Sequence, residues 1–129
     1  MKKIKIIINK LLISRRKKSI INKDISTINN KLYVLVSNKL NPIYGAVQGG
    51  HAIAQFLLEH PDSEWQNHTV VYLSCDIEHM KRKIQNMFTG EFNCKEISFF
   101  YEPDLGNELT AIAAYKIPQK YVRRLKLLK

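Results

Sequence analysis

The sequence predicts a single α/β domain, a mixed four-stranded sheet with helices on both faces, preceded by a basic N-terminal extension. Apolar runs of strand length alternate with two stretches whose apolar residues recur every three or four positions. Clusters of Pro, Gly, Asn and Asp fall between these segments, where turns are needed. The chain of 129 residues, 45% of them hydrophobic, supplies one core rather than two.

Residues 1–30 read as an extension, 31–117 as the domain and 118–129 as a closing basic helix. Within 1–30, Ile4, Ile8, Leu11, Leu12 and Arg15 fall on one side of a helical projection. That pattern fits either a solvated arm or an amphipathic helix for RNA or a membrane surface. The stretch is too short and too charged to span a bilayer, and it lacks the apolar core of a secretory signal. Its basic, acid-free composition keeps organelle targeting as a minor alternative to a cytoplasmic location.

Lys31–Asn38 holds the continuous apolar run Leu32-Tyr33-Val34-Leu35-Val36, as expected of a central strand buried on both faces. Asn41-Pro42 marks a turn. A helix is expected from Ala46 to His60, stopped by Pro61. His68–Ser74 is a second strand. Asp76 is placed to cap a helix from Ile77 to about Thr89, with Gly90 beyond it and Ile77, Met80, Ile84 and Met87/Phe88 on its apolar side. Cys94–Tyr101 alternates like a strand near an edge, with Ile97 and Phe99 on one side and Ser98 and Phe100 on the other. A Pro/Gly loop follows, then a fourth strand, Leu109–Tyr115. Two strand–helix–strand crossovers predict parallel pairing, and the short last loop predicts an antiparallel final strand.

Charge is segregated. Of 21 Lys and Arg, nine lie in residues 1–23 and six in 116–129, where there is no acid; the rest of the chain sets six against all 11 acids. A mildly acidic domain with two basic ends points to a polyanion partner, RNA first. Cys75 and Cys94 form no CxxC pair, and His51, His60, His68 and His79 show no ligand spacing. No metal or other cofactor is expected, and free thiols fit a reducing compartment.

The unusual chemistry gathers in Ala46-Val47-Gln48-Gly49-Gly50-His51-Ala52. Two adjacent glycines cost a helix about 1 kcal/mol each relative to alanine. They predict a first turn pressed against another backbone or a ligand, with Gln48 and His51 bracketing it. Val47, Gly50, His51, Ala54, Leu57 and Leu58 share a stripe, which reads as the buried face. His51 is then either a hydrogen-bonded core histidine or a general base. Gln48 either satisfies nearby backbone or touches substrate. Asp104 and Asn107 are ordinary turn residues as well as candidates, Thr110 is ordinary in a strand, and Trp65 either covers the core edge or stacks on a base.

The Gln-x-x-His-Ala helix and the Leu109-Thr110-Ala111-Ile112-Ala113 strand resemble the type II peptidyl-tRNA hydrolases and their shorter bacterial and viral relatives. The resemblance covers about residues 31–115 and omits both basic ends. It implies hydrolysis of the ester joining a peptide to tRNA, without a cofactor, and leaves a homodimer open. The family's lysine before the helix is replaced near that place by Tyr44, with Lys39 the nearest upstream lysine. Its Asp-Ala-Gly-Lys/Arg-Thr segment becomes the shorter Glu102-Pro103-Asp104-Leu105-Gly106-Asn107-Glu108. The resemblance implies catalytic roles for Asp104 or Glu102 with Thr110 and His51. It implies substrate contacts for Gln48, Lys39 and Asn107, while the backbone N–H groups at the expected start of the Gly49-Gly50 helix are candidates to hold an oxyanion or a phosphate, because helix amino ends attract anions. A catalytically inactive RNA-binding module and a protein-interaction domain are the alternatives.

Overall fold

In the computed structural model, residues 30–87 and 96–129 are described. The expected extension up to residue 29, the end of the second helix around Thr89-Gly90, and Cys94 lie outside them. The element order is β1 (Leu32–Ser37), α1 (Pro42–Glu59), β2 (Val70–Cys75), α2 (Ile77–Met87), β3 (Ile97–Glu102), β4 (Glu108–Tyr115) and β5 (Lys126–Leu127). The sheet has five strands in the order β3-β4-β1-β2-β5.

β1 lies at the centre with all six residues buried, as its unbroken apolar run requires. It pairs in parallel with β2 from Leu32↔Val70 to Ser37↔Cys75, and antiparallel with β4 from Leu32↔Tyr115 to Val36↔Ala111. The second crossover does not place β3 beside β2. The turn after Glu102 is too short to let β3 and β4 separate, so they form an antiparallel hairpin and join the sheet together at the free edge of β1. Pro103–Leu105 makes a 3₁₀ turn, and Gly106 and Asn107 adopt left-handed backbone with φ of 64° and 62°. Glycine, and next to it asparagine, tolerates that conformation best.

The alternation of the strands sorts the core into two layers. Leu32, Ala111, Ala113 and Tyr115 pack with Ala52 and Phe56 of α1. Tyr33, Leu35, Leu73, Ile112 and Ala114 pack with Ile77, Met80 and Ile84 of α2 on the opposite face. Asp76 caps α2 as expected, its Oδ1 accepting from the His79 N–H at 3.1 Å.

Three expectations are corrected. The closing helix over 118–129 is replaced by a 3₁₀ turn, Gln119–Tyr121, and the strand β5, which pairs with β2 through Leu73↔Leu127 and Ser74↔Lys126. An isolated helix of about a dozen residues is marginal. The unpaired edge of β2 offers hydrogen bonds instead, while Ile117 and Val122 sink into the α2-side core.

The helix expected from Ala46 begins four residues earlier, at Pro42. Asn41 caps it, with Oδ1 accepting from the Tyr44 N–H at 2.8 Å, and proline is suited to the first helical position. Gly49 and Gly50 therefore lie two turns inside the helix, not at its entrance.

The stripe expected to be buried faces outward. Val47 and Leu57 are about half exposed, Leu58 is 80% exposed, and Gly50, His51 and Ala54 are exposed as well. The buried residues of α1 are Gly45, Gln48, Gly49, Ala52 and Phe56.

Candidate functional site

A polar cluster joins α1 to the β3–β4 hairpin. Gln48, on the buried side of α1 and 1% exposed, donates through Nε2 to Glu102 Oε2 at 2.8 Å. Thr110 donates from Oγ1 to Gln48 Oε1 at 2.7 Å. The Asp104 backbone N–H donates to Glu102 Oε1 at 3.1 Å. These bonds fix one another's polarity. An ionised Glu102 can only accept, so Gln48 must turn its NH₂ toward it, and its oxygen then requires the Thr110 hydroxyl as donor.

Simple alternation would put Thr110 on the α2 side, because Ala111 and Ala113 face α1. A β-bulge changes this. The β3–β4 register runs Phe100↔Ala111 and then Tyr101↔Leu109, leaving Thr110 unpaired. Leu109 drops into the α2-side core, and Thr110 turns to meet Gln48. Glu102 reaches the same side by ordinary alternation from Ser98 and Phe100. Its neighbour Tyr101 points the other way, where Lys81 Nζ lies 5.5 Å from its ring.

Two hydrogen bonds hold the Glu102 carboxyl below its ordinary value, first from the Asp104 N–H and then from Gln48; the His51 charge adds to this against the opposing effect of desolvation. Glu102 is thus an ionised anchor whose oxygens are already engaged. Tyr44 stands one turn before Gln48, and its phenol is raised by desolvation and then by the charges of Glu102 and Asp104. It stays protonated at neutral pH and can donate. His51 is exposed, its ring stacked on Phe100 with centroids 4.9 Å apart and an interplanar angle of 11°. The reading of His51 as a buried core histidine is overturned with that of its stripe.

Gln48, His51, Glu102 and Thr110 therefore come together, with Asp104 exposed at the rim of the hairpin. Asn107 has a backbone role, its N–H donating to the Glu102 carbonyl at 2.9 Å. Lys39 is exposed in the turn after β1, where its backbone N–H bonds to Ser37 Oγ at 3.3 Å. Gly49 is a packing residue. A Cβ there would stand 2.8 Å from Tyr72 Cε2 and 2.9 Å from Val34 Cγ1, so only glycine lets α1 lie this close to the sheet. Neither glycine opens the helix, so no free first-turn amide exists there to hold an oxyanion. Trp65 is buried edge-to-face against Phe56 at 6.4 Å, covering the core edge rather than offering a ring to a base.

Tyr44 is the site residue that sequence reasoning missed. The available signal was its spacing. Tyr44, Gln48, His51 and Gln55 follow one another at four, three and four residues, a strip between the inner and outer faces of α1.

Cys75 is buried and its thiol pushed up to about 12, chiefly by desolvation, which leaves it unreactive. Among the described residues, no three His, Cys, Asp or Glu side chains gather as a metal site. No helix among them is long and apolar enough to cross a membrane. Compared with known proteins, the chain matches no family model and no curated protein at a significant level.

Proposed function

We propose that the domain is a peptidyl-tRNA hydrolase-like enzyme acting on the ester between a peptide, or an N-blocked amino acid, and tRNA. What supports this reading is the meeting of the Glu102 carboxylate with Gln48 of α1, with Asp104 exposed at the rim of the same hairpin. Two segments that carry the family resemblance, 54 residues apart at Gln48 and Glu102, share one hydrogen-bonded cluster. Ester hydrolysis needs a water to be activated, a donor for the developing oxyanion and a proton for the leaving hydroxyl.

The exposed Asp104 carboxylate is suited to take a proton from water. Glu102 is less suited, since its two oxygens are occupied and its basicity is reduced. It instead holds the buried Gln48 in place through Nε2. The protonated Tyr44 phenol is the donor for the oxyanion, in the region where the family carries lysine. His51 can hand a proton to the leaving ribose hydroxyl. The basic ends of the chain suit the phosphates of tRNA.

Turnover of N-acetylaminoacyl-tRNA by the full chain tests this reading. Hydrolysis should be measurable, and Asp104→Asn should lower it at least about 100-fold with little change in tRNA affinity. Salt-dependent tRNA binding without turnover would replace the hydrolase with an RNA-binding module of the same fold. No binding at low salt would leave a protein-interaction domain.

A further inference from the structure

The outer face of α1 is unusual for a helix on the surface of a basic protein. Ile43 is 83% exposed and Leu58 80%, with Val47 and Leu57 each about half exposed between them. Gly50 and Ala54 fill the intervening positions, and a Cβ on Gly50 would meet nothing within 4 Å. The helix holds no Lys or Arg, and its only acid is Glu59. A solvated surface helix normally presents charged residues opposite its buried face. Beside the first turns of this stripe lies an open groove of about 630 Å³, lined by Pro42, Ile43, Ala46, Val47, Tyr72 and Leu128. A contiguous apolar strip of this kind marks a docking surface.

The candidate occupant is in the chain itself. The described chain starts at residue 30, and Leu32 packs against Ala52 and Phe56, so the extension leaves the domain beside the Leu57-Leu58 end of the stripe. The extension carries Ile4, Ile8, Leu11 and Leu12 at helical spacing. The stripe from Ile43 to Leu58 is about 22 Å long at 1.5 Å per residue. The 16 residues between Ile13 and Asn30 span up to about 53 Å when extended, which is ample reach. Charge agrees. The first 23 residues hold nine basic side chains and no acid, whereas Glu59 and Asp62 are exposed around the end of α1 nearest the point of departure.

We propose that residues 4–13 dock as an amphipathic helix on the outer stripe of α1, covering Val47, Gly50, Ala54 and Leu58 within the same chain. The docking does not depend on the hydrolase reading.

Disulfide scanning of the full chain in a Cys94→Ser background tests it. Single cysteines are walked through positions 4–13 against Ala54→Cys, and oxidation is followed on non-reducing gels at low protein concentration. The expected result is an intramolecular cross-link that peaks with the spacing of Ile4, Ile8 and Leu11/Leu12 and is lost on adding Val47→Glu. A profile flat across the ten positions, a cross-link that survives Val47→Glu, or absence of any cross-link would overturn the proposal. Cross-links found only between molecules would also overturn it and would assign the stripe to a second copy.

Discussion

The two sides of α1 obey opposite rules although they alternate within the same 18 residues. On the inner side, small residues and one polar residue are buried: Gly45, Gln48, Gly49 and Ala52 lie against the sheet, with Phe56 as the large anchor. On the outer side, large apolar residues are exposed at Ile43, Val47, Leu57 and Leu58. Binary patterning assigns the more apolar stripe to the core. Here it is the outer stripe. The sheet is already densely apolar, and what it requires of the helix is closeness. Val36 Cγ1 would lie 2.8 Å from a Cβ on Gly45, and Tyr72 as near to one on Gly49. Residues without side-chain bulk face inward because the helix is seated low on the strands, where Gln48 can cross to the hairpin.

The sharpest way to break this comparison is at Gln48. Gln48→Leu keeps the volume but removes both partners of the cluster, stranding the Thr110 hydroxyl and one Glu102 oxygen. The expected loss of stability is up to about 3 kcal/mol, read from the urea midpoint at unchanged slope. An unchanged midpoint would show that the cluster does not hold hairpin and helix together.

The adjacent glycines give the most direct contrast. Gly49→Ala must displace Tyr72 and Val34 and should destabilise by about 1–3 kcal/mol. Gly50→Ala enters open space in the same helix and should stabilise by about 0.4–1 kcal/mol. Equal effects in thermal denaturation would mean that the helix does not sit as close to the sheet as described.

The smallest expected effect concerns acid. The folded state holds Glu102 below its ordinary value of 4.5. Its ionised form therefore favours folding above that pH, and this contribution disappears as pH falls through the lower folded value. The stability difference between the wild type and Glu102→Gln should shrink on acidification below about pH 4.5. A difference that stays constant from neutral pH into that range would remove Glu102 as the charged anchor.

Much of the fold was legible. The unbroken run 32–36 announced a central strand, Asp76 announced a cap, and the alternation of Ile97 to Phe100 gave the two faces of β3 correctly. These features are local: periodicity and capping depend on residues within a few positions of one another. The site was legible only in part. The Gln-x-x-His spacing and the Glu102–Asp104 loop were visible as candidates, but which carboxylate meets Gln48 depends on how a short hairpin aligns. Thr110 faces the site because of a bulge that no alternation pattern announces. The strand β5 was read as a helix because its pairing partner, the edge of β2, lies about fifty residues earlier.

By itself, then, the sequence determined the strands, the helices and the residues able to do chemistry, because those follow from short-range sterics and side-chain type. Tertiary structure decided which stripe of α1 turned inward, which acid was buried beside Gln48, and where the last residues went. Each of those choices was set by contact between segments distant in the chain, through close backbone approach at Gly45 and Gly49 and through hydrogen bonds that must be satisfied once polar groups leave water.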